Sequence, residues 1–210
     1  MRKLPGGLYV ITDEKHMARK DFICKISEAA AAGAGIIQLR EKASRIRDRL
    51  ELAKEAVKAA HAYGARLVIN DDPALAAAIG ADGVHIGRDD ASVAEARALL
   101  GVKAIIGVSC YGDIELALRS QRAGADYVSF GACFRSPTKP EETIVPLSVF
   151  GAAKRRLKVP LVAIGGIDQH NAAQVFEAGA DMVSVVSSVF ARRKVALAIK
   201  EFKIDQEIQK

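Results

Sequence analysis

Gly80-Ala81-Asp82-Gly83-Val84 recurs with small changes along the chain, and the recurrence indicates the architecture. The other copies are Gly33-Ala34-Gly35-Ile36-Ile37, Gly124-Ala125-Asp126-Tyr127-Val128 and Gly179-Ala180-Asp181-Met182-Val183. Each glycine suits the position just after a helix, where a left-handed backbone costs little without a Cβ atom. The apolar residues that follow each glycine predict a strand. The copies lie about fifty residues apart, which fits two strand and helix pairs per repeat.

The intervals between these copies supply the other strands and the helices. Apolar runs predict strands at Leu8 to Thr12, Arg66 to Ile69, Ala104 to Val108 and Leu161 to Ile164. Helical periodicity covers Phe22 to Ala32, Arg47 to Tyr63, Pro73 to Ile79, Val93 to Leu100, Ile114 to Ala123, Leu147 to Leu157, Asn171 to Ala178 and Val195 to Phe202. Eight alternating strands and helices predict an α/β protein, a single (β/α)8 TIM barrel with parallel strands. The alternative is an open doubly wound sheet, but Thr12-Asp13-Glu14-Lys15-His16 stands where its glycine-rich dinucleotide loop would be.

Length and composition fit one domain over residues 1–210, with a tail at 204–210 that can fray. Half of the residues are apolar, which is enough for one substantial core. The net charge of +6 would admit nucleic acid as a partner. The basic residues are interleaved with acidic and apolar ones on predicted helices, and no recognition motif accompanies them. We therefore expect a solvated helix surface and no nucleic-acid partner.

The chain carries no targeting or membrane signal. Its first residues run straight into a strand, and no apolar stretch is long enough to span a bilayer. Cys24, Cys110 and Cys133 are odd in number and far apart, which suits reduced thiols that pack as small residues. We therefore expect a cytoplasmic protein without a membrane partner.

Short polar clusters follow the predicted strands. They are Gln38-Leu39-Arg40-Glu41-Lys42, Asn70-Asp71, Arg88-Asp89-Asp90, Ser109, Ser136-Pro137-Thr138-Lys139 and Gly165-Gly166. The carboxyl ends of barrel strands converge on one face, and that face binds ligands in barrels of this kind. The sequence therefore predicts an active site there.

The second strand directs an amide and two cations toward this face. Side chains alternate along a strand, so Gln38, Arg40 and Lys42 share one side, while Ile37 and Leu39 pack outward against helices. An arginine at the mouth can bind an anion through two parallel hydrogen bonds, whereas an unpartnered one inside the barrel would be very costly. A surface ion pair is the alternative interpretation of both cations.

Carboxylates follow two neighbouring strands. Asn70-Asp71 ends the third predicted strand and Asp90 follows the fourth. Mg2+ takes few protein carboxylates and keeps positions for water and phosphate oxygens, so Asp71 and Asp90 are candidate ligands. The alternative is that Asp71 or Asp72 caps the third helix and that Asp90 caps the fourth, near Ser92. Taken alone, these positions favour capping.

The last two strands and the longest connection complete the predicted mouth. Backbone N–H groups at Gly165-Gly166 and Val186-Ser187-Ser188 would form the usual phosphate site of this fold. The simpler interpretation is that the glycines only make a tight turn. The connection from Gly131 to about Pro146 contains Ser136-Pro137-Thr138-Lys139, which we expect to form a lid.

Six segments between Leu8 and Phe190 together match a known family. They are Tyr9-Val-Ile-Thr-Asp13, Gln38-Leu-Arg-Glu-Lys42, Ile69-Asn-Asp71, Gly80-Ala-Asp-Gly-Val-His-Ile-Gly87, Thr138-Lys139 and Ala163-Ile-Gly-Gly-Ile167. On these segments the chain resembles the thiamine phosphate synthases. That resemblance implies a TIM-barrel transferase that uses Mg2+, joins hydroxymethylpyrimidine diphosphate to thiazole phosphate and releases diphosphate.

The resemblance also implies roles for individual residues. Gln38, Arg40, Lys42, Asn70 and Lys139 would hold the pyrimidine diphosphate, and Asp71 with Asp90 would bind Mg2+. Ser109 would lie at the reacting centre, with Thr138, Gly166, Val186 and Ser187 near the thiazole phosphate, and Ser136 is a further substrate-binding candidate. Arg40, Lys42, Ser109 and Lys139 are the candidates for catalysis. The resemblance favours the metal interpretation of the two carboxylates over capping.

The chain departs from the family pattern in places. Ser136 replaces the first threonine of a common Thr-x-Thr-Lys pattern and keeps its hydroxyl. Arg135, Asp72 and Arg88 replace a frequent Pro, Arg and Gln, and we hypothesise that Asp72 and Arg88 compensate for each other in charge. His85 is interpreted as a structural histidine with satisfied hydrogen bonds.

Three other functions share parts of this pattern. A thiazole tautomerase would keep the phosphate site but need neither a metal nor Lys139. A sugar-phosphate epimerase or decarboxylase would not need Thr138-Lys139. A non-catalytic barrel that binds thiamine phosphate is the option without turnover. The paired carboxylates Asp71 and Asp90 argue against the first and third of these.

Overall fold

The strands of the computed structural model, which describes residues 4, 6–41, 46–135 and 143–202, form a closed barrel. They pair in parallel in sequence order, and the last strand pairs with the first. The strands are β1 Gly7–Ile11, β2 Ile36–Leu39, β3 Arg66–Asn70, β4 Gly83–Ile86, β5 Ile105–Tyr111, β6 Tyr127–Phe130, β7 Leu161–Ile164 and β8 Met182–Val185. Closure between β8 and β1 confirms the predicted (β/α)8 barrel and excludes the open sheet.

Helices alternate with these strands and agree with the sequence prediction to within a few residues. They are α1 Phe22–Ala31, α2 Ile46–His61, α3 Pro73–Ile79, α4 Val93–Leu100, α5 Ile114–Ala123, α6 Ser148–Lys154, α7 Ala172–Glu177, α8 Ser187–Phe190 and α9 Val195–Lys200. The four-residue α8 and a 3-10 helix at Arg19–Asp21 are additions that the sequence analysis missed. No helix in the described part of the chain has the length and apolar composition needed to cross a membrane.

The recurring glycine and aspartate have separate structural roles at the base of the barrel. Gly80 and Gly124 end α3 and α5 in the left-handed conformation, as predicted. The aspartates two residues later each accept a backbone N–H from the preceding strand: Asp82 from Leu67, Asp126 from Ile106 and Asp181 from Leu161, all at 2.8 Å. These carboxylates therefore tie neighbouring strands together at the end opposite the predicted site.

Strand alternation divides the core into two layers. Ile37 and Leu39 pack outward with the helices, as predicted, while Ile36 belongs to a smaller cluster inside the barrel with Tyr9 and Tyr127. Each apolar side chain of this size contributes about 1.5–3 kcal/mol when fully buried. The interior cluster therefore fills the lower barrel and leaves the space above it for a ligand.

The cysteines only partly follow the prediction. Cys110 and Cys133 are buried, in agreement with a packing role, but Cys24 is exposed on α1. The packing interpretation is therefore wrong for Cys24, because it lies on the side of α1 that faces away from the barrel.

Candidate active site

A cavity of about 860 Å3 opens at the carboxyl ends of the strands. Among the residues that line it are Gln38, Arg40, Asn70, Asp71, Asp90, Ser109, Gly166, Val186 and Ser187. The structure thus brings together every predicted site residue that it describes. Lys42, Ser136, Thr138 and Lys139 lie outside the described residues, as does the central part of the predicted lid.

The inward side of β2 supplies an amide and a cation to this cavity. Gln38 is buried, and its Nε2 donates to the hydroxyl of Tyr9 at 2.5 Å. One nitrogen of Arg40 lies 3.5 Å from Asp13 and 4.0 Å from Glu14. The ion-pair alternative therefore applies in part, since Arg40 both lines the cavity and has carboxylate neighbours that orient it.

The helix caps decide between two interpretations of the carboxylates. Asp72, not Asp71, caps α3 by accepting the N–H of Leu75 at 2.8 Å. Ser92, not Asp90, caps α4, with Glu95 completing a reciprocal pair of hydrogen bonds. The capping interpretation is therefore wrong for Asp71 and Asp90, and both carboxylates border the cavity instead.

Local backbone geometry presents both carboxylates to the cavity. Asp71 has a φ of +64°, and its N–H donates to the carbonyl of His85 at 2.8 Å. Non-glycine residues in this conformation are uncommon and cluster at functional sites. The loop that follows β4 bends so that Asp90 Oδ2 accepts the N–H of Gly87 at 2.7 Å.

Gly165-Gly166 has a structural reason in addition to its place in the cavity wall. Both glycines have positive φ values, 98° and 63°. A Cβ on Gly166 would lie 2.6 Å from the carbonyl oxygen of Phe134, so no larger residue fits beside that loop. The turn interpretation and the binding interpretation are both compatible with this geometry.

The eighth strand ends before the predicted phosphate-binding segment Val186-Ser187-Ser188. The strand stops at Val185, and Ser187 begins α8 rather than ending the strand. Ser184 immediately precedes Val185 on β8. It is buried in the cavity wall, and its hydroxyl has no hydrogen-bond partner among the described residues. An unpaired buried hydroxyl is costly and is usually satisfied by a ligand or water.

The departures from the family pattern have separate surroundings. Asp72 contacts Arg49 at 2.5 Å in addition to its cap. The guanidinium of Arg88 lies 4.7 Å from the ring centre of Tyr111. In the described part of the chain, Asp72 and Arg88 do not pair directly with each other, and compensation in charge between them stays a hypothesis. Arg135 lines the cavity.

His85 lies at the floor of the cavity with both ring nitrogens hydrogen-bonded. Nδ1 is 2.9 Å from the hydroxyl of Tyr127, and Nε2 is 2.9 Å from Ser109 Oγ. Burial lowers the pKa of His85 from 6.5 to about 4, although the charge of Asp71 opposes the shift. The ring is therefore neutral near pH 7, and its hydrogen bonds are satisfied, as the sequence interpretation expected.

The sequence analysis missed two tyrosines beneath this histidine. The hydroxyls of Tyr9 and Tyr127 lie 2.9 Å apart inside the barrel. The alternation used on β2 could have found them, because Tyr9 occupies an inward position two residues before Ile11 and is aligned with Ile36.

A closed parallel barrel with a cation, two carboxylates that do not cap helices and a glycine turn at one mouth defines a TIM-barrel enzyme for a small anionic ligand.

Comparison with known proteins identifies the family. The family described as "Thiamine monophosphate synthase" matches residues 8–189, and the chain belongs to it. A thiamine-phosphate synthase from Nitrosococcus oceani is 45% identical over 94% of this chain and 91% of its own length. One from Methylococcus capsulatus is 45% identical over 93% and 87%, respectively. The chain is thus a transferase with thiamine phosphate synthase function, as the resemblance implied.

Solved structures agree with this conclusion. A thiamine phosphate pyrophosphorylase from Pyrococcus furiosus has a TM-score of 0.84 at 32% identity and covers 96% of this chain and 94% of its own. A 3-hexulose-6-phosphate synthase, at 17% identity with a TM-score of 0.71, covers 94% of this chain and 98% of its own. The second likeness shows the shared barrel fold alone.

Proposed function

We propose that this chain transfers the hydroxymethylpyrimidine group from its diphosphate to the nitrogen of thiazole phosphate, with the assistance of Mg2+, and releases thiamine phosphate and diphosphate. The observation that carries the proposal is the single cavity of about 860 Å3 bordered by Arg40, Asp71, Asp90, Ser109 and Gly166. A volume of this size is ample for two small substrates held side by side.

In this proposal the diphosphate lies near the ends of β2, β3 and β4. Arg40 would bind its oxygens and neutralise charge as the diphosphate departs, and Gln38 and Asn70 would supply amide contacts. Lys42 and Lys139, which lie outside the described residues, are proposed to join them. Arg40 would then exchange Asp13 for the substrate as its main ionic partner.

The carboxylates fit a divalent cation. Asp71 and Asp90 supply oxygen atoms from neighbouring strands, and neither is used as a helix cap. The described residues contain no group of three or more His, Cys, Asp or Glu side chains suited to a metal. Two carboxylates suit Mg2+, which keeps positions for water and phosphate oxygens. When bound, Mg2+ would neutralise part of the negative charge that grows on the leaving diphosphate.

The remaining chemistry needs little acid or base catalysis. The aminopyrimidine can share positive charge with its methylene carbon, so the C–O bond can break before the new C–N bond forms. The neutral thiazole nitrogen already has a lone pair and needs no base to activate it. We propose that Ser109 contacts the reacting centre, while Ser136, Thr138, Gly166, Val186 and Ser187 hold the thiazole phosphate.

The competing functions account for fewer of these features. A tautomerase would need no metal at Asp71 and Asp90, and a sugar-phosphate epimerase would not need Thr138 and Lys139. A silent binding barrel would not need the cation and the paired carboxylates together.

We also propose a cytoplasmic location, because all three cysteines are free thiols.

The test is a turnover assay with both phosphorylated precursors, with and without Mg2+. We expect thiamine phosphate and diphosphate in equal amounts in the complete mixture and little product after metal chelation. Folded protein that forms neither product in the complete mixture would contradict the proposal. Formation of a rearranged thiazole from thiazole phosphate alone would favour the tautomerase.

A pair of arginine variants makes the assay specific for the site. Arg40→Gln should lower kcat/KM by about 100-fold, because it removes a charge that the leaving group needs. Arg156→Gln is the matched control, since Arg156 pairs with Glu115 at 2.7 Å on the surface and does not line this cavity. It should stay within about threefold of the parent enzyme. Equal losses in both variants would contradict the assignment of Arg40.

A further inference from the structure

A continuous line of hydrogen-bonded side chains crosses the interior of the barrel beneath the cavity. It runs from Gln38 through Tyr9, Tyr127 and His85 to Ser109, with separations of 2.5, 2.9, 2.9 and 2.9 Å. We call these five side chains the relay. Gln38 and Ser109, at its two ends, line the cavity, and its middle is buried. Five strands contribute one member each, so only the closed barrel assembles it.

With the amide of Gln38 as the first donor, one direction lets every member of the line both accept and donate a hydrogen bond. Gln38 Nε2 donates to the oxygen of Tyr9. Either phenol can be the donor between Tyr9 and Tyr127. When Tyr9 gives its proton to Tyr127, Tyr127 can give its own to His85 Nδ1. A neutral imidazole has one N–H, which must then be at Nε2 and point at Ser109 Oγ. Ser109 accepts this bond, and its own proton is left to face the cavity.

The charge states along the relay support this direction. Burial raises the pKa of Tyr9 and of Tyr127 above the ordinary value, so both phenols keep their protons near neutral pH. His85 is buried with one hydrogen-bond partner at each ring nitrogen, Tyr127 and Ser109, and this geometry suits a ring with a single N–H. Each member therefore has one proton to donate.

The barrel makes room for this arrangement at a neighbouring strand. Gly107 is paired with Tyr127 across β5 and β6. A Cβ atom at position 107 would lie 1.9 Å from Cζ of the Tyr127 ring, so only glycine admits the tyrosine there. The rings of His85 and Tyr127 are also stacked, with centres 5.5 Å apart. These contacts fix the phenol and the imidazole in the geometry that the relay needs.

We propose that Tyr9 and Tyr127 are positioning residues that set Ser109 as a hydrogen-bond donor toward the substrate. The partner of Ser109 would be an acceptor atom, either a ring nitrogen or an oxygen. The same direction means that His85 cannot accept a proton from Ser109, so the two do not form a nucleophile and base pair. This inference rests on the proposed function for the identity of the substrate, but the state of the relay can be measured without turnover.

The first experiment reads the imidazole directly. Protein labelled with 15N-histidine is examined by NMR at pH 7, where the two ring nitrogens of a neutral histidine give separate signals, and a His85→Gln sample assigns the ring. We expect a proton on Nε2 and none on Nδ1 in the parent protein. In Tyr127→Phe we expect a mixture of both tautomers, because the donor to Nδ1 is lost.

The second experiment tests whether the tyrosine acts through Ser109. Tyr127→Phe should lower kcat by about tenfold with KM changed less than twofold, which is the scale of one hydrogen bond. Ser109→Ala should lower kcat further, and the double variant should be no slower than Ser109→Ala alone. Tyr63→Phe, on an exposed tyrosine, is the matched control and should match the parent enzyme.

Particular outcomes overturn the inference. A proton on Nδ1 of His85 in the parent protein would mean that the relay runs the other way. Multiplying effects of Tyr127→Phe and Ser109→Ala would mean that the tyrosine does not act through the serine. If Tyr127→Phe does not fold, Tyr9→Phe interrupts the relay one step earlier. It should also give a mixture of the two His85 tautomers. An inactive parent protein with the expected tautomer would contradict the proposed function and leave the relay direction standing.

Discussion

Asp71 and Asp72 are adjacent in the chain but belong to different parts of the molecule. Asp72 caps α3 through the N–H of Leu75 and contacts Arg49. Asp71 has a left-handed backbone and lines the cavity at the strand ends. One carboxylate therefore stabilises a helix, and its neighbour borders the cavity.

Substituting each of these two carboxylates in turn separates an effect on turnover from an effect on stability. Asp71→Asn should lower kcat by about 100-fold, because the variant loses a candidate metal ligand, while Tm changes by less than about 2 °C. Asp72→Ala should retain most of the activity but lose about 1 kcal/mol of stability with its cap. Steady-state kinetics and thermal unfolding on both variants measure this. Loss of stability in Asp71→Asn equal to that in Asp72→Ala would contradict the division.

The aspartates at the base of the barrel should differ in their contribution to stability. Asp126 accepts the N–H of Ile106 and pairs with Arg97 at 2.7 Å, with the two side chains only 19% and 22% exposed. Asp126→Ala would leave the N–H of Ile106 unpaired and take away the carboxylate of Arg97, which keeps its bonds to the carbonyls of Ala104 and Gly124, and should cost about 2 kcal/mol.

Asp181→Ala is the matched comparison for this prediction. Asp181 makes the equivalent backbone contact, but its partner Lys154 is 50% exposed, so water can replace the ion pair. Urea unfolding should show a smaller loss in Asp181→Ala than in Asp126→Ala. Equal losses would mean that the burial of the ion pair is unimportant.

His85 should make the fold less stable in mild acid. Above pH 6.5 its imidazole is neutral in both the folded and the unfolded chain. As the pH falls from 6.5 toward its folded pKa of about 4, the unfolded chain binds a proton that the folded protein does not. The free energy of unfolding should therefore fall by about 3 kcal/mol from this group across that range.

Urea unfolding at several pH values between 4 and 7 checks the effect of His85. The slope of stability against pH should be shallower in His85→Gln than in the parent protein, because the titrating group is gone. Identical slopes would show that His85 is as easily protonated in the folded state as in the unfolded chain.

The three thiols should differ sharply in reactivity. Burial raises the pKa of Cys110 to about 12 and that of Cys133 to about 11, so neither forms much thiolate near neutral pH. Cys24 is exposed. Iodoacetamide should therefore modify one thiol in the native protein and three in urea, as read by mass spectrometry. Native Cys24→Ser protein should take up no label on the same time scale.

Local signals in the sequence were sufficient for the strands, for most of the helices and for part of the cavity wall. Pro73 at the start of α3 and Gly80 after its end mark that helix correctly. The period of two along β2 correctly placed Gln38 and Arg40 on the inward side. These features depend on neighbours within a few residues, which the sequence displays directly.

Other features depend on contacts that only closure of the barrel creates. Tyr9 and Tyr127 are 118 positions apart in the chain but share a hydrogen bond. The sequence offered Asp71 or Asp72 as the cap of α3 because either of two adjacent aspartates has the chemistry of a cap, and backbone angles select Asp72. The exposure of Cys24 likewise depends on how α1 rotates against its neighbours.

The aspartate contacts at the base tie together the strands of three pairs, β3–β4, β5–β6 and β7–β8, far from the mouth. The loops at the carboxyl ends of the strands can therefore change in length and composition while these contacts hold the strands together. Substrate choice could be altered by randomising the residues around the cavity while positions 82, 126 and 181 stay unchanged. A whole two-strand unit could also be exchanged with one from another barrel that has the same aspartate contact.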